Sequence, residues 1–475
     1  MKIRLLLSLP LFLLLIVTVN AADKPNIVFV FADDLAFDCV NVMGNAEVET
    51  PNLDRLAKSG VIFLNAYNQG SYSGAVCIAS RMMLNSGRFL WDAQRLHNQG
   101  ETERQAGRFW SEHLKKAGYD TYMTGKWHIK AKSDLAFDHI VNERPGMPNQ
   151  TSGGYNRPIE GRPDPWSPYD PQFEGFWKGG KHWSEVLGDD AETFLKQAGK
   201  SDKPFFMYLA FNAPHDPRQA PKEYVDKYPI DELSMPVNFL PEYPYKEQIA
   251  CGKSLRDEKL APFPRTEYAV KVNRQEYYAI ITHMDDQIGR ILKALEATGK
   301  IDHTYIFFTA DHGLAVGQHG LMGKQNLFDH SVRVPFFMAG PDVEAGSQIS
   351  TAIYLQDVMP TSLELAGVEH PDHVRFKSVL PLLKDANTEH YDAIYGAYLT
   401  AQRSVTQDGF KLILFPKVPK ALLFNLQKDP HEMNDLAGDP AQKPRMKKLF
   451  AKLLELQKET ADKLDLTETF ADLAK

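Results

Sequence analysis

Cysteine is scarce: Cys39, Cys77 and Cys251 are the only three in 475 residues. A small, odd number excludes a disulfide framework as the support of the fold; at most one pair can bridge, with one thiol left over. No sign of charge dominates, with 54 Lys and Arg against 61 Asp and Glu and a formal charge of −7. That excludes any overall attraction to nucleic acid or to an anionic membrane, so an anionic ligand must be held by local positive groups. Internal repeats and low-complexity tracts are missing, which excludes a solenoid and a long flexible tail. Long apolar runs are missing as well, apart from one at the start.

That run spans Leu5 to Val19, broken only by Ser8, Pro10 and Thr18. Lys2 and Arg4 precede it and Val-Asn-Ala-Ala (19–22) follows, the layout of a cleaved signal peptide over residues 1–22. A membrane anchor is the alternative, but the run falls short of the ~20 apolar residues a span requires. No Leu-x-x-Cys lipidation site ends it. We therefore expect a secreted or periplasmic product without stable membrane insertion. Losing Lys2 and Arg4 leaves 52 basic against 61 acidic residues, a formal charge of −9. An exported chain with an unpaired thiol calls for a reason to keep it.

Asn26 to Ala32 (Asn-Ile-Val-Phe-Val-Phe-Ala) is a continuous β-branched and aromatic run, the pattern of a strand buried on both faces of a parallel sheet. Lys203 to Phe211 and Thr304 to Thr309 repeat it, and Asp-Thr-Tyr-Met-Thr (120–124) reads as a further strand. Helices are expected over 52–59, ended by Gly60, and over 274–298, ended by Gly299. Strands alternating with helices imply an α/β fold with a doubly wound, mostly parallel sheet. Residues 133–188 are rich in Gly, Pro, Trp and Arg without periodicity, the texture of a long functional loop. From about residue 376 short strands (393–400, 402–406, 410–415, 423–426) precede an amphipathic helix over 440–464. The expected division is therefore a catalytic domain over 23–375 and a smaller α+β domain over 376–475.

Chemistry-bearing residues follow the apolar strands. Asp33 and Asp34 close the first, where open α/β sheets bind ligands, and adjacent carboxylates there repel unless a cation joins them. A solvated turn with a helix cap is the plain alternative. Asp311-His312-Gly313 closes the 304–309 strand in the same way, and two acidic strand ends on one sheet edge suit a hard cation such as Ca²⁺ or Mg²⁺. Lys126 and His128, two apart after another strand, are expected to share one face, with Trp127 on the other. His215 follows 203–211 in Ala-Pro-His-Asp-Pro, and Lys324 lies 13 residues beyond Asp311. Each alone reads more often as a structural or surface residue, but their repeated placement after apolar strands shifts the balance toward a site. Cys77, four residues before Arg81, fits an activated thiol or a small residue buried at a helix start.

Cys77-Ile-Ala-Ser-Arg-Met-Met-Leu-Asn-Ser-Gly-Arg88 resembles the signature of the sulfatase family, within the alkaline-phosphatase-like superfamily. The family pattern is Cys-x-Pro-Ser-Arg followed by x-x-x-Leu-Thr-Gly-Arg. Cys77, Ser80, Arg81, Gly87 and Arg88 match it, while Ala79, Asn85 and Ser86 stand where the pattern has Pro, Leu and Thr. The resemblance runs over most of 25–370, with Asp33-Asp34, Gly-Lys-Trp-His and Asp311-His312-Gly in order, and the Ala-Pro-His-Asp-Pro-Arg and Gly-Gln-His-Gly-Leu-Met-Gly-Lys stretches resemble bacterial glycan sulfatases. It implies oxidation of Cys77 to formylglycine by a formylglycine-generating enzyme. It implies one Ca²⁺ among Asp33, Asp34, Asp311, His312 and the modified Cys77. Arg81 would then hold the aldehyde's gem-diol, Lys126 and Lys324 the sulfate oxygens, His215 would protonate the leaving alkoxide, and His128 would take the last hydroxyl proton. Asp216, Arg218 and His319 flank these positions, and His182 and Trp183, with Lys178 and Lys181, lie in the irregular stretch. They are the candidate contacts to a sulfated carbohydrate, such as a galactose-type or uronic-acid-containing glycan. The rivals are a phosphate or phosphonate ester hydrolase of the same superfamily and a non-catalytic glycan-binding relative.

Overall fold

The computed structural model describes residues 24–474; the signal-peptide expectation for 1–22 lies outside the described residues. In chain order the strands of the first half are β1 (Asn26–Ala32), β2 (Val61–Phe63), β3 (Ala66–Tyr67), β4 (Gly70–Ser71), β5 (Asp120–Lys126), β6 (His139–Arg144) and β7 (Phe205–Ala210). The second half adds β8 (Thr304–Ala310), β9 (Arg333–Val334), β10 (Phe336–Ala339), β11 (Ser347–Ile349) and β12 (Ile353–Tyr354). The last strands are β13 (Ile394–Tyr398), β14 (Gln402–Gln407), β15 (Phe410–Phe415) and β16 (Lys420–Asn425).

Eight strands form the main sheet in the order β11-β2-β10-β8-β1-β7-β5-β6. The run β8-β1-β7-β5-β6 is parallel throughout, and β10 joins antiparallel to β8 and β2. The continuous apolar runs have the burial they require: β1, β7 and β8 are buried along their whole length. Phe29 packs edge-on against Trp110, at 5.0 Å between ring centroids, and beside Tyr208. Each such side chain, moved out of water, contributes about 1.5–3 kcal/mol. Trp110 also donates its indole N–H to Ser362 Oγ at 2.7 Å, so its polar edge is satisfied inside the core.

The long helix begins seven residues before the expected start, at Glu267, and runs to Ala297; Thr266 caps it by accepting from the Ala269 N–H. Residues 133–188 are less irregular than their composition suggests. They hold β6, several 3₁₀ turns and the first part of a helix, Trp183–Ala198. Its N-cap is His182, whose Nδ1 accepts from the Ser184 N–H. Histidine is not among the usual capping residues, which hides this helix start from a reading of sequence.

The C-terminal strands form a five-stranded sheet, β16-β15-β14-β13-β4, antiparallel except where β13 meets β4. The edge strand β4 comes from just before Cys77, so this sheet is completed by the first part of the chain. The three cysteines are buried and free.

Candidate active site

The parallel strands β8, β1, β7 and β5 lie side by side and end in register: Ala32 pairs with Ala310, Phe31 with Ala210, and Ala210 with Gly125. Asp311 and His312, like Asp33 and Asp34, stand directly beyond these ends. Lys126 is the last residue of β5 with His128 two further on, and His215 and Asp216 follow five and six residues after β7. The helix Val76–Ser86 brings Cys77 in its first turn and Arg81 one turn later, on the same face. The loop after His312 returns Lys324. Sequence positions hundreds of residues apart are thus gathered at one edge.

Cys77 Sγ lies 3.8 Å from Asp34 Oδ1, 3.5 Å from His312 Nε2 and 3.3 Å from Lys324 Nζ. Lys324 Nζ donates to both Asp34 oxygens, at 2.9 and 2.7 Å, and lies 3.0 Å from His215 Nε2. Lys126 pairs with Asp33 Oδ2. Arg81 donates from Nε to Asp311 Oδ2 at 3.1 Å and from Nη1 to the Lys126 carbonyl at 2.8 Å, with its guanidinium over the Phe31 ring. All these groups are buried.

Such crowding moves proton equilibria. Burial, reinforced by Asp311 and Cys77, raises Asp33 well above the usual carboxylate range. For Cys77 burial opposes the thiolate, but Lys126 and Lys324 outweigh it and hold the thiol well below its ordinary value. Burial also opposes a charged His215, yet Asp34 prevails and lifts it to about 10. Burial brings His128, beside Cys77, down to about 4. The two imidazoles flanking the thiol are therefore driven apart, one toward acid and one toward base.

One oxygen or nitrogen each from Asp34, Asp311 and His312, with the Cys77 sulfur, lie within 4.8 Å of one another. Asp33 Oδ1, fully buried, has no hydrogen-bond partner. Carboxylate-rich donors with an orphaned oxygen fit a hard cation.

The expectation that Lys126 and His128 share a strand face is corrected. β5 ends at Lys126, and His128 is in the left-handed region at φ 58°. His128 nonetheless reaches Cys77, by a turn in place of alternation. Among the remaining candidates, Asp216 Oδ1 is 3.1 Å from His215 Nδ1, and Arg218 donates to Asn273 and stacks on Tyr277. His182, as helix cap, has its second nitrogen on the Gln219 carbonyl at 2.9 Å. Trp183 is buried under Arg144. His319 Nε2 meets the Glu432 carbonyl and its ring stacks on Phe328. No hydrogen bond or ion pair links Arg218, His182, Trp183 or His319 to the cluster among the described residues.

Three residues were missed: Arg256, Asp257 and Glu258. Arg256 pairs with Asp216 and Asp257, Asp257 accepts from Gln325 Nε2, and Glu258 accepts from the Met322 and Gly323 N–H groups beside Lys324. They sit on a 3₁₀ turn, Asp257–Leu260, and its edge, where no periodicity or strand end marks them.

A parallel sheet that gathers carboxylates able to hold a cation, three buried cationic side chains and a helix-borne thiol suits chemistry on an anionic ester. The sulfatase family model matches residues 25–368, and the chain belongs to that family of sulfuric ester hydrolases. A second model, described as N-sulphoglucosamine sulphohydrolase, C-terminal, matches 317–459. The chain is 29% identical to an arylsulfatase of Clostridium perfringens, over 92% of this chain and 95% of that one. It is 26% identical to an N-acetylglucosamine-6-O-sulfatase of Bacteroides thetaiotaomicron, over 92% and 87%. It shares its fold, at a TM-score of 0.72 and 20% identity, with a phosphonate monoester hydrolase from Silicibacter pomeroyi, over 93% and 96%. The alkaline-phosphatase-like architecture is thus common to enzymes acting at sulfur and at phosphorus.

Proposed function

We propose that this chain is an exported sulfatase that removes sulfate from a carbohydrate through formylglycine made from Cys77, with Ca²⁺ beside it. The observation that carries the reading is the convergence of Arg81, Lys126 and Lys324 with two oppositely tuned histidines on one buried cysteine. The similarity to an N-acetylglucosamine-6-O-sulfatase supports a sulfated glycan as substrate.

Asp33, Asp34, Asp311 and His312 would hold the ion, which when bound supplies Lewis acidity to the sulfate group. Oxidised Cys77 supplies the attacking oxygen. Arg81, fixed by Asp311, the Lys126 carbonyl and Phe31, can turn only one way and holds that oxygen without reorganising. Lys126 and Lys324 neutralise the sulfate oxygens as charge builds during sulfur–oxygen cleavage. His215 directs Nε2 to the same side as Lys324 and gives its proton to the departing sugar oxygen. His128, held neutral, takes the proton whose removal lets the sulfate leave and restores the aldehyde. The division at residue 376 and export by residues 1–22 belong to the same proposal.

The test is release of sulfate and phosphate from monosulfated saccharides and matched phosphate esters. The enzyme is co-expressed with a formylglycine-generating enzyme, beside Cys77→Ala. Sulfate release that disappears in Cys77→Ala and on chelation, and returns with Ca²⁺, is expected. Phosphate release in place of sulfate overturns the reading, as does inactivity on every ester once mass spectrometry shows Cys77 converted.

A further inference from the structure

Asp216 follows His215 directly and is buried, with 4% of its surface exposed. Its two oxygens differ. Oδ1 is shared between His215 Nδ1 at 3.1 Å and Arg256 at 3.3 Å, whereas Oδ2, equally buried, has no hydrogen-bond partner. A buried carboxylate oxygen without a protein donor costs free energy unless a water or a ligand supplies the donor, and at the edge of the cluster a ligand can do so. Arg256 is the complement. Its side chain is 35% exposed, while those of Arg81, Lys126 and Lys324 are at most 3% exposed. It is not loose, because Nε donates to Asp257 Oδ1 at 2.7 Å and Asp257 is held by Gln325, next to Lys324. The loop that carries it is tied to the 133–188 stretch by the Asn156 N–H on the Lys259 carbonyl at 2.5 Å. Tyr155, beside that tie, is half-buried near the same pair.

Nε and Nη2 of Arg256 are engaged by Asp257 and Asp216 and Nη1 lies against Met147 Sδ, so what the guanidinium offers a ligand is its partly exposed outer N–H edge. An acceptor and a cationic donor edge, held side by side next to the general acid, match two neighbouring oxygens of a sugar ring. The charge decides what kind. A second sulfate or a uronic carboxylate would meet the bare Asp216 Oδ2, an anionic oxygen with no donor of its own, and be repelled there, whereas neutral hydroxyls suit both halves.

We propose that Asp216 and Arg256 form the subsite that reads the hydroxyl beside the sulfate-bearing carbon, with Asp216 Oδ2 accepting its proton and Arg256 donating to the adjacent ring oxygen. The proposal rests on the sulfatase reading above and names the part of the substrate that this site selects.

The test is a cycle of substrate and enzyme changes. kcat/KM is measured for the monosulfated hexose that the wild type cleaves fastest and for its deoxy analogues lacking the hydroxyl on either side of the sulfate. The same substrates are given to Asp216→Asn and Arg256→Met, with 4-nitrophenyl sulfate as an ester that has no neighbouring hydroxyl. Removing one hydroxyl is expected to cost the wild type at least about 30-fold, since a site built to bond a hydroxyl rejects its absence strongly. In Asp216→Asn, whose amide oxygen faces His215 and Arg256 and whose NH2 stands in place of the charged acceptor, the same removal is expected to cost less than about 3-fold. Equal penalties in wild type and variant overturn the subsite, and so does tolerance of both deoxy compounds. Sulfate release from 4-nitrophenyl sulfate but from no hexose overturns the subsite while leaving the sulfatase reading intact. Absence of release from every ester, with Cys77 converted, ends both.

Discussion

At the scale of single residues, the same crowding that suits Cys77 to modification leaves a signature in the unmodified protein. Lys126 and Lys324 outweigh burial and hold its thiol low, while burial raises Cys39 and Cys251 well above an ordinary thiol. Metal-free, unconverted enzyme at pH 7 is therefore expected to show one thiolate by its absorbance near 240 nm. Cys77→Ala should remove the signal, and Lys126→Met should shift its titration upward. A chain with no thiolate at pH 7 would mean that Asp33 and Asp34 cancel the lysines. Most of this site was legible because its residues follow apolar runs: Asp33, Asp34, Asp311, His312 and His215 each come after a fully buried strand. His128 was placed by the wrong device, alternation, since strand geometry ends two residues before it. Arg256 and Glu258 left no trace, because their role arises only when a turn packs against a loop some 65 residues on.

Elements here borrow their ends from one another. The helix Pro51–Lys58 has Thr50 at its N-cap, but the threonine side chain makes no capping bond. Asp285, from the middle of the long Glu267–Ala297 helix, does so from outside: Oδ2 accepts from Asn52 N and Nδ2, and Oδ1 accepts from Leu53 N at 2.7 Å. Helix N-termini leave such donors unpaired, and here the cap also locks two elements together. Asp285→Ala is expected to lower stability by about 2–3 kcal/mol in urea unfolding, because several donors lose a charged acceptor at once. A loss below about 0.5 kcal/mol would show that water takes its place. Neither the cap nor the short strands β2, β3 and β4 was legible. Two or three residues carry no period, and an acid in mid-helix reads as a solvated face. The long strands and the long helix were legible because the pattern that reveals them is the one that buries them.

On the scale of the whole molecule, the C-terminal sheet and the catalytic region share buried charge. Lys411 of β15 donates to Asp329 Oδ1 at 2.6 Å and to Glu432 Oε1 at 2.9 Å, and Glu432 Oε2 accepts from the Asp329 N–H. This seam, like the pairing of β13 with β4, joins parts of the chain that composition separates, so it could not be read from texture alone. Its titration can be worked out. Burial lowers His113, His128 and His319 to about 4, and lowers His182 and His330 as well. Between pH 6.5 and 4 the unfolded chain therefore binds protons that the folded chain refuses, and stability falls as pH falls. Glu258 and Glu432, raised by burial to about 7, act in the opposite sense between pH 7 and 4.5, where the folded chain holds the extra proton. Asp285, raised by burial to about 6, and His215, lifted by Asp34 to about 10, act with the glutamates, so the two sets offset one another between pH 7.5 and 5. Tm is measured in chelator so that loss of metal does not contribute. Glu432→Gln removes one of the groups that favour the folded chain at low pH, so its Tm at pH 5 relative to pH 7.5 should fall below that of the wild type. If the variant's pH dependence equals the wild type's, Lys411 keeps Glu432 ionised in the folded chain across this range, and the seam is a permanent ion pair that titrates only below pH 5.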